Sequence, residues 1–176
     1  MKKRDFYNYE TKTFAPLRDP MRQVMTALLN AERYFAAVKE VVWGRFGMKY
    51  LSDAIHTLEH KQPPRIDQFG DILHQLGLEI EYPATLELDE PLPDLDEVFR
   101  VCVEIFNSVE NALADFIRKA DEYHFYSTAR QTESIQVENG KDWTKLLEAW
   151  SMWDNEVSPS SFDKYVRELY GGDGDD

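Results

Sequence analysis

Asp67, Asp71 and His74 stand at i, i+4 and i+7 in a stretch of helical periodicity, so two carboxylates and an imidazole share one helix face. Oxygen and nitrogen donors in that arrangement suit iron, manganese or zinc. The alternative is a solvated polar edge beside the apolar line of Ile66, Phe69 and Leu73. Upstream, His56, Glu59 and His60 read H-x-x-E-H, a formal match to the inverted zinc-peptidase motif. Nothing else in the chain resembles a peptidase, and Pro63-Pro64 follow at once. The group is therefore either two imidazoles and a carboxylate that add metal ligands, or an ordinary exposed face.

Glu32 lies on the inward line from Leu28 and Leu29 to Phe35, where a charge is costly unless it is paired or coordinates metal. Lys39, two turns on, makes an ion pair the competing account. Thr132 and Asn139 share the inner line of a later helix and are expected to bond to each other or to water; Glu104, Glu110 and Glu138 flank their apolar stripes and read as surface residues. Cys102 falls on an apolar stripe, as inert core. Trp143, Trp150 and Trp153, at helical spacing on an acidic chain, read as core or subunit contact rather than a stacking surface for bases. No phosphate-cradling glycine loop, paired cysteine nucleophile or serine triad is present.

The elements that must position these residues are helices. Apolar residues recur at about 3.6-residue spacing in four segments, near 20–43, 48–77, 94–124 and 128–153. Pro20 suits a first turn, Gly44–Gly47 an end, and Pro63-Pro64 predict a kink or break in the second segment. Gly77 is a natural stop, and Asp94 with Glu97 forms a capping-box-like start. Between them, 78–93 carries Pro83, Pro91 and Pro93 and reads as the long connection required when consecutive helices run parallel. Ser158-Pro159 opens a short last helix ending near Tyr170. The expected organisation is an arm at 1–19, one all-α four-helix bundle domain at 20–170, and an acidic tail at 171–176.

Composition narrows the function. The chain has 176 residues, 43% of them hydrophobic, enough for a core without disulfides. One cysteine forms no internal disulfide. Lys2-Lys3-Arg4 resembles the basic end of a signal peptide, but Phe6-Tyr7-Asn8-Tyr9-Glu10 stands where an apolar run is needed, and no stretch approaches the roughly 18 apolar residues of a membrane span. A cytoplasmic protein that uses no membrane is expected. With 20 basic and 33 acidic residues the net charge is −13, which repels nucleic acid and anionic membranes, and the basic residues do not gather into a compensating stripe; only the Lys2-Lys3-Arg4 tip is locally positive. No duplex DNA binding is expected. The acidity serves solubility, or attracts cations, or mimics nucleic acid.

The stretch Ile66-Asp67-Gln68-Phe69-Gly70-Asp71-Ile72-Leu73-His74-Gln75-Leu76-Gly77 resembles the second-helix signature of the Dps mini-ferritins, I-D-x-x-A-E-R-I-x-x-L-G-G. Ala27-Leu28-Leu29-Asn30-Ala31-Glu32 is similar to that family's first-helix opening, Val41-Val42-Trp43 stands where it has a His-Trp pair, and Glu138-Asn139-Gly140-Lys141 loosely resembles its last long helix. The resemblance implies a ferritin-like bundle with a long crossover and an oxidation site between two subunits, in which Asp67 and Asp71 face histidines of a partner in a hollow shell. This chain departs from the pattern. Asp71 replaces a longer Glu, Val42 stands at the first-helix His, and the second His falls near Ser52, with His56 one turn away where the family has a further Asp. No E-x-x-H pair of the classical ferritin kind lies in the expected helices. The ferroxidase site is degenerate in this reading.

Two functions follow as expectations. In the first, a homo-oligomeric ferritin-like protein binds iron or another divalent metal, and oxidises or stores it. Asp67 and Asp71 are its acidic ligands, His56 or His60 its nitrogen donor and Glu32 a bridge. In the second, a non-catalytic acidic bundle with a degenerate metal site binds a protein partner through its surface, as an interaction protein, phage-type inhibitor or DNA mimic.

Overall fold

The computed structural model describes residues 14–88, 91–153 and 158–171. Most of the expected arm and all but the first residue of the expected tail therefore lie outside the described residues. A short 3-10 turn, Ala15–Leu17, buries Leu17 and leads directly into α1, Arg18–Phe46. α1 stops at Gly47, whose φ of 66° lies in the left-handed region that glycine enters without steric cost.

The predicted break in the second segment is present. α2, Lys49–His60, and α3, Gln62–Gln75, meet at Lys61, and Pro63 and Pro64 fall in the opening turn of α3, where a missing N–H costs no hydrogen bond. α4, Leu95–Glu122, begins with the Glu97 N–H donating to Asp94 Oδ1 at 2.9 Å. Only half of the capping box forms, because the Glu97 carboxylate turns to Arg100 instead. α5, Tyr126–Trp153, starts two residues before its expected position, and α6 spans Pro159–Gly171.

The connection between α3 and α4 runs the length of α1. Glu81 pairs with Arg18 and Arg22 near the start of α1, the Leu86 N–H donates to Asn30 Oδ1, and Arg45 near the end of α1 donates to the Leu92 carbonyl. That stretch of α1 is about 40 Å long. No helix or strand is found in this connection among the described residues. It carries the chain back along the bundle, so α3 and α4 run parallel while α1–α2 and α4–α5 are antiparallel.

α1 packs on α2, α3 and α4, and α5 packs on α3 and α4. The core between them holds Phe35 against Phe106, ring centroids 5.4 Å apart, and Phe69 against Phe116 at 5.0 Å. α6 seals one end against α2 and α5. There Phe162 meets Trp153 and Phe99, and Phe99 stacks on Trp150 with ring planes 7° apart, so these tryptophans serve packing. Asp163 of α6 accepts the Leu51 N–H at 3.0 Å, supplying an acceptor and a negative charge to the first turn of α2. Cys102 is fully buried, and that burial pushes its thiol up to about 12, consistent with an inert core residue.

Candidate functional site in the bundle centre

α3 opens Gln62-Pro63-Pro64-Arg65, and the i, i+3 spacing turns Gln62 and Arg65 to the same inward face. α5 places Asn139 and Asp142, also at i, i+3, on its inward face, and all four side chains are buried. Arg65 Nη2 donates to Asp142 Oδ2 at 2.5 Å and Lys61 Nζ to Asp142 Oδ1 at 2.6 Å, so one carboxylate holds two cations. Gln62 Nε2 donates back to the Leu58 carbonyl. Arg65 Nε, Arg65 Nη1 and Gln62 Oε1 are buried without a partner among the described residues. A buried ion pair of this kind is about neutral against an apolar replacement, whereas removing one partner strands a charge at about 3–5 kcal/mol.

One further acid approaches, from α4. Glu110 of α4 is half-buried rather than on the surface; it accepts from Gln136 Nε2 at 2.6 Å and from Asn139 Nδ2 at 3.5 Å. Asn139 therefore does not bond to Thr132, whose hydroxyl donates to the Thr128 carbonyl instead. Glu32 of α1 is half-buried. In dimetal carboxylate bundles two helices each give one Glu, and the other two each give a Glu-x-x-His pair, all directed inward. Here the buried polar pairs at the same i, i+3 spacing read Gln62-x-x-Arg65 on α3 and Asn139-x-x-Asp142 on α5. A guanidinium is always charged and only donates, and carboxamides are weak ligands. A pair of metal ions does not fit this donor set, because a fixed positive charge already stands against its one inward carboxylate pair member, Asp142.

The H-x-x-E-H group also meets a side-chain cation. Glu59 Oε2 lies 2.8 Å from Lys39 Nζ and 2.9 Å from His56 Nδ1, and the Nε2 atoms of His56 and His60 are 3.1 Å apart. Partial burial opposes ionisation of Glu59, but the hydrogen bonds and charges of Lys39 and His56 together outweigh it and hold its carboxyl below the usual range. Lys39 thus finds its acid in Glu59. Asp67, Asp71 and His74 are exposed on the outer face of α3. Neither Asp67 nor Asp71 has an ion pair among the described residues, in contrast to Glu59 and Asp142. Among the described residues no three His, Cys, Asp or Glu side chains gather into a group able to hold a metal ion, so Asp67, Asp71, His56, His60 and Glu32 are not brought together within one chain.

Sequence reasoning missed Arg65, Asp142 and Glu110. Arg65 sits beside two prolines that mark a break, and Lys61 and Asp142 are 81 positions apart. The one available signal was the pair of i, i+3 polar residues on inward lines at 62/65 and 139/142.

No protein-family model matches the chain, and no curated protein matches its sequence. Solved structures do match. A ferritin from M. penetrans superposes with a TM-score of 0.80 at 8% identity, over 86% of this chain and 94% of that one. An open-pore ferritin from the hyperthermophilic archaeon Archaeoglobus fulgidus gives 0.73 at 14% identity, over 90% and 94%. A mycobacterial bacterioferritin gives 0.69 at 18% identity, over 84% and 92%. With the crossover, the short sixth helix and these superpositions together, the chain has the ferritin-like four-helix-bundle fold.

Proposed function

We propose that this protein is a non-catalytic, self-associating ferritin-like bundle that acts through protein–protein contact, its internal cation position being filled by its own Arg65 and Lys61. One observation carries the reading: the buried Arg65–Asp142 pair puts a cation of the chain itself on an inward carboxylate, at the same i, i+3 spacing that the Glu-x-x-His ligands of a dimetal bundle have. Between α1 and α2 a second cation of the chain, Lys39, holds Glu59. Self-association draws support from apolar side chains left in solvent along α1 and the crossover: Trp43 is 52% exposed and Leu86 61%. The test is Fe(II) oxidation in air. The protein should leave the rate of the buffer unchanged, and a fast phase proportional to protein and lost in Asp142→Ala would overturn the proposal.

A second reading keeps divalent-metal binding at the outer face of α3. Its support is that Asp67 and Asp71 are exposed, one turn apart and without ion pairs among the described residues, on the helix whose sequence resembles the mini-ferritin signature. Iron or manganese would be held there by the two carboxylates, with His56, His60 or Glu32 contributed across a subunit contact. Equilibrium dialysis against Mn(II) tests it. Binding that Asp67→Asn/Asp71→Asn abolishes, with helicity and mass unchanged, favours this reading; uptake equal in both proteins removes it.

A further inference from the structure

Two of the chain's four histidines meet at the end of α2. His56 and His60 stand at i, i+4 on one helix face, with their Nε2 atoms 3.1 Å apart and their ring centroids 4.2 Å apart, and both side chains are exposed. Zinc binds imidazole nitrogen at about 2.0–2.1 Å. Two nitrogens 3.1 Å apart, each at that distance from one ion, subtend about 100° there, between the right angle of square-planar or octahedral coordination and the wider tetrahedral one. The other ring nitrogen of His56 is also placed for this. Its Nδ1 lies 2.9 Å from Glu59 Oε2, the carboxylate contact that holds a metal-binding histidine with its proton on Nδ1 and its Nε2 lone pair free. Lys39 Nζ is 3.0 Å from the same Nδ1 and 2.8 Å from Glu59, which balances its charge. The direct contact of the two rings needs a proton on one Nε2; an ion set between them takes that proton's place.

We propose that His56 and His60 form a surface site for one late first-row divalent ion, Zn(II), Ni(II) or Cu(II), with water in the remaining positions. Imidazole nitrogen suits these ions, whereas Mg(II), Ca(II) and Mn(II) prefer oxygen. Both rings are exposed and the terminal torsion of histidine is broad, so aiming both lone pairs at one point costs little. The ion clips the last turn of α2, immediately before the break at Lys61. The site lies within one chain and uses neither Asp142 nor Asp67 and Asp71, so it is separate from both readings of the bundle's function.

Zn(II) is the probe, titrated calorimetrically into the full chain with excess Mg(II) present to occupy the carboxylates of the acidic surface. One saturable site per chain is expected, with a rise in Tm on Zn(II) addition. His56→Gln and His60→Gln should each weaken binding about tenfold or more, since even groups that only orient a ligand are worth that much. Both positions are exposed, so these variants should fold normally, which circular dichroism checks. His74→Gln and Asp67→Asn/Asp71→Asn should bind as the wild type does. No saturable heat at millimolar Zn(II), or equal affinity in wild type and a His56→Gln/His60→Gln double variant, would overturn the proposal. So would a loss in Asp67→Asn/Asp71→Asn as large as in His60→Gln.

Discussion

Asp142 is the residue on which the interior depends. It neutralises Arg65 inside the bundle and Lys61 at its edge, so Asp142→Ala strands a buried guanidinium and should cost about 3–5 kcal/mol in chemical denaturation. Replacing both partners, Arg65→Met with Asp142→Leu, should leave stability within about 2 kcal/mol of wild type or raise it. A cost for the double variant as large as for Asp142→Ala would show that the pair does more than balance itself. Glu59 gives a pH-dependent case. Its carboxyl is held low in the folded state, so its contribution is complete above the unfolded value near 4.5 and is lost as pH falls through the folded value. Solvent screening keeps that contribution below about 1 kcal/mol. Glu59→Gln should therefore be less stable than wild type at neutral pH, and the difference should shrink as the pH is lowered below about 4.5. Glu32 was legible only as a charge on an apolar line, and the structure leaves it half-buried. The Arg65–Asp142 pair was not legible, since a polar residue at an inward position does not announce a partner 77 residues away.

At the scale of elements, the helices and their ends followed from periodicity and punctuation. Gly47 and Gly77, at φ 66° and 73°, stop α1 and α3 where the sequence suggests, and Pro63-Pro64 divide the second segment. The segment 78–93 was legible as a crossover because its prolines and acids disfavour a helix; its ties to Arg18, Asn30 and Arg45 were not, being contacts between distant positions. Asp94→Ala removes the α4 N-cap and should cost about 1 kcal/mol by thermal or chemical unfolding. Gly70 tests how closely the crossover lies on α3. A methyl added there would meet Ile80 Cδ1 at 2.8 Å, the flexible end of a side chain that is only half-buried. Because that end can turn aside, Gly70→Ala should stabilise by up to about 1 kcal/mol through helix propensity. A loss of more than that would mean the crossover is held rigidly against α3.

At the scale of the molecule, the ferritin-like fold and the acidic charge balance were both readable, because bundles of this class are specified by apolar stripes and by one long connection. The distribution of charge was not readable. Twenty basic residues with no evident stripe in sequence include four that meet between α3 and α5, and the cations nearest the interior acids belong to the chain itself. The claim that ties these scales together is that Arg65 occupies the place of a metal ion. Anaerobic titration with Fe(II), comparing the wild type with Asp142→Ala and with Asp67→Asn/Asp71→Asn, tests it most directly. The account predicts that the wild type shows no uptake that depends on Asp142. Uptake of about two ions per chain, the stoichiometry of a dimetal bundle, retained in Asp67→Asn/Asp71→Asn and lost in Asp142→Ala, would contradict it.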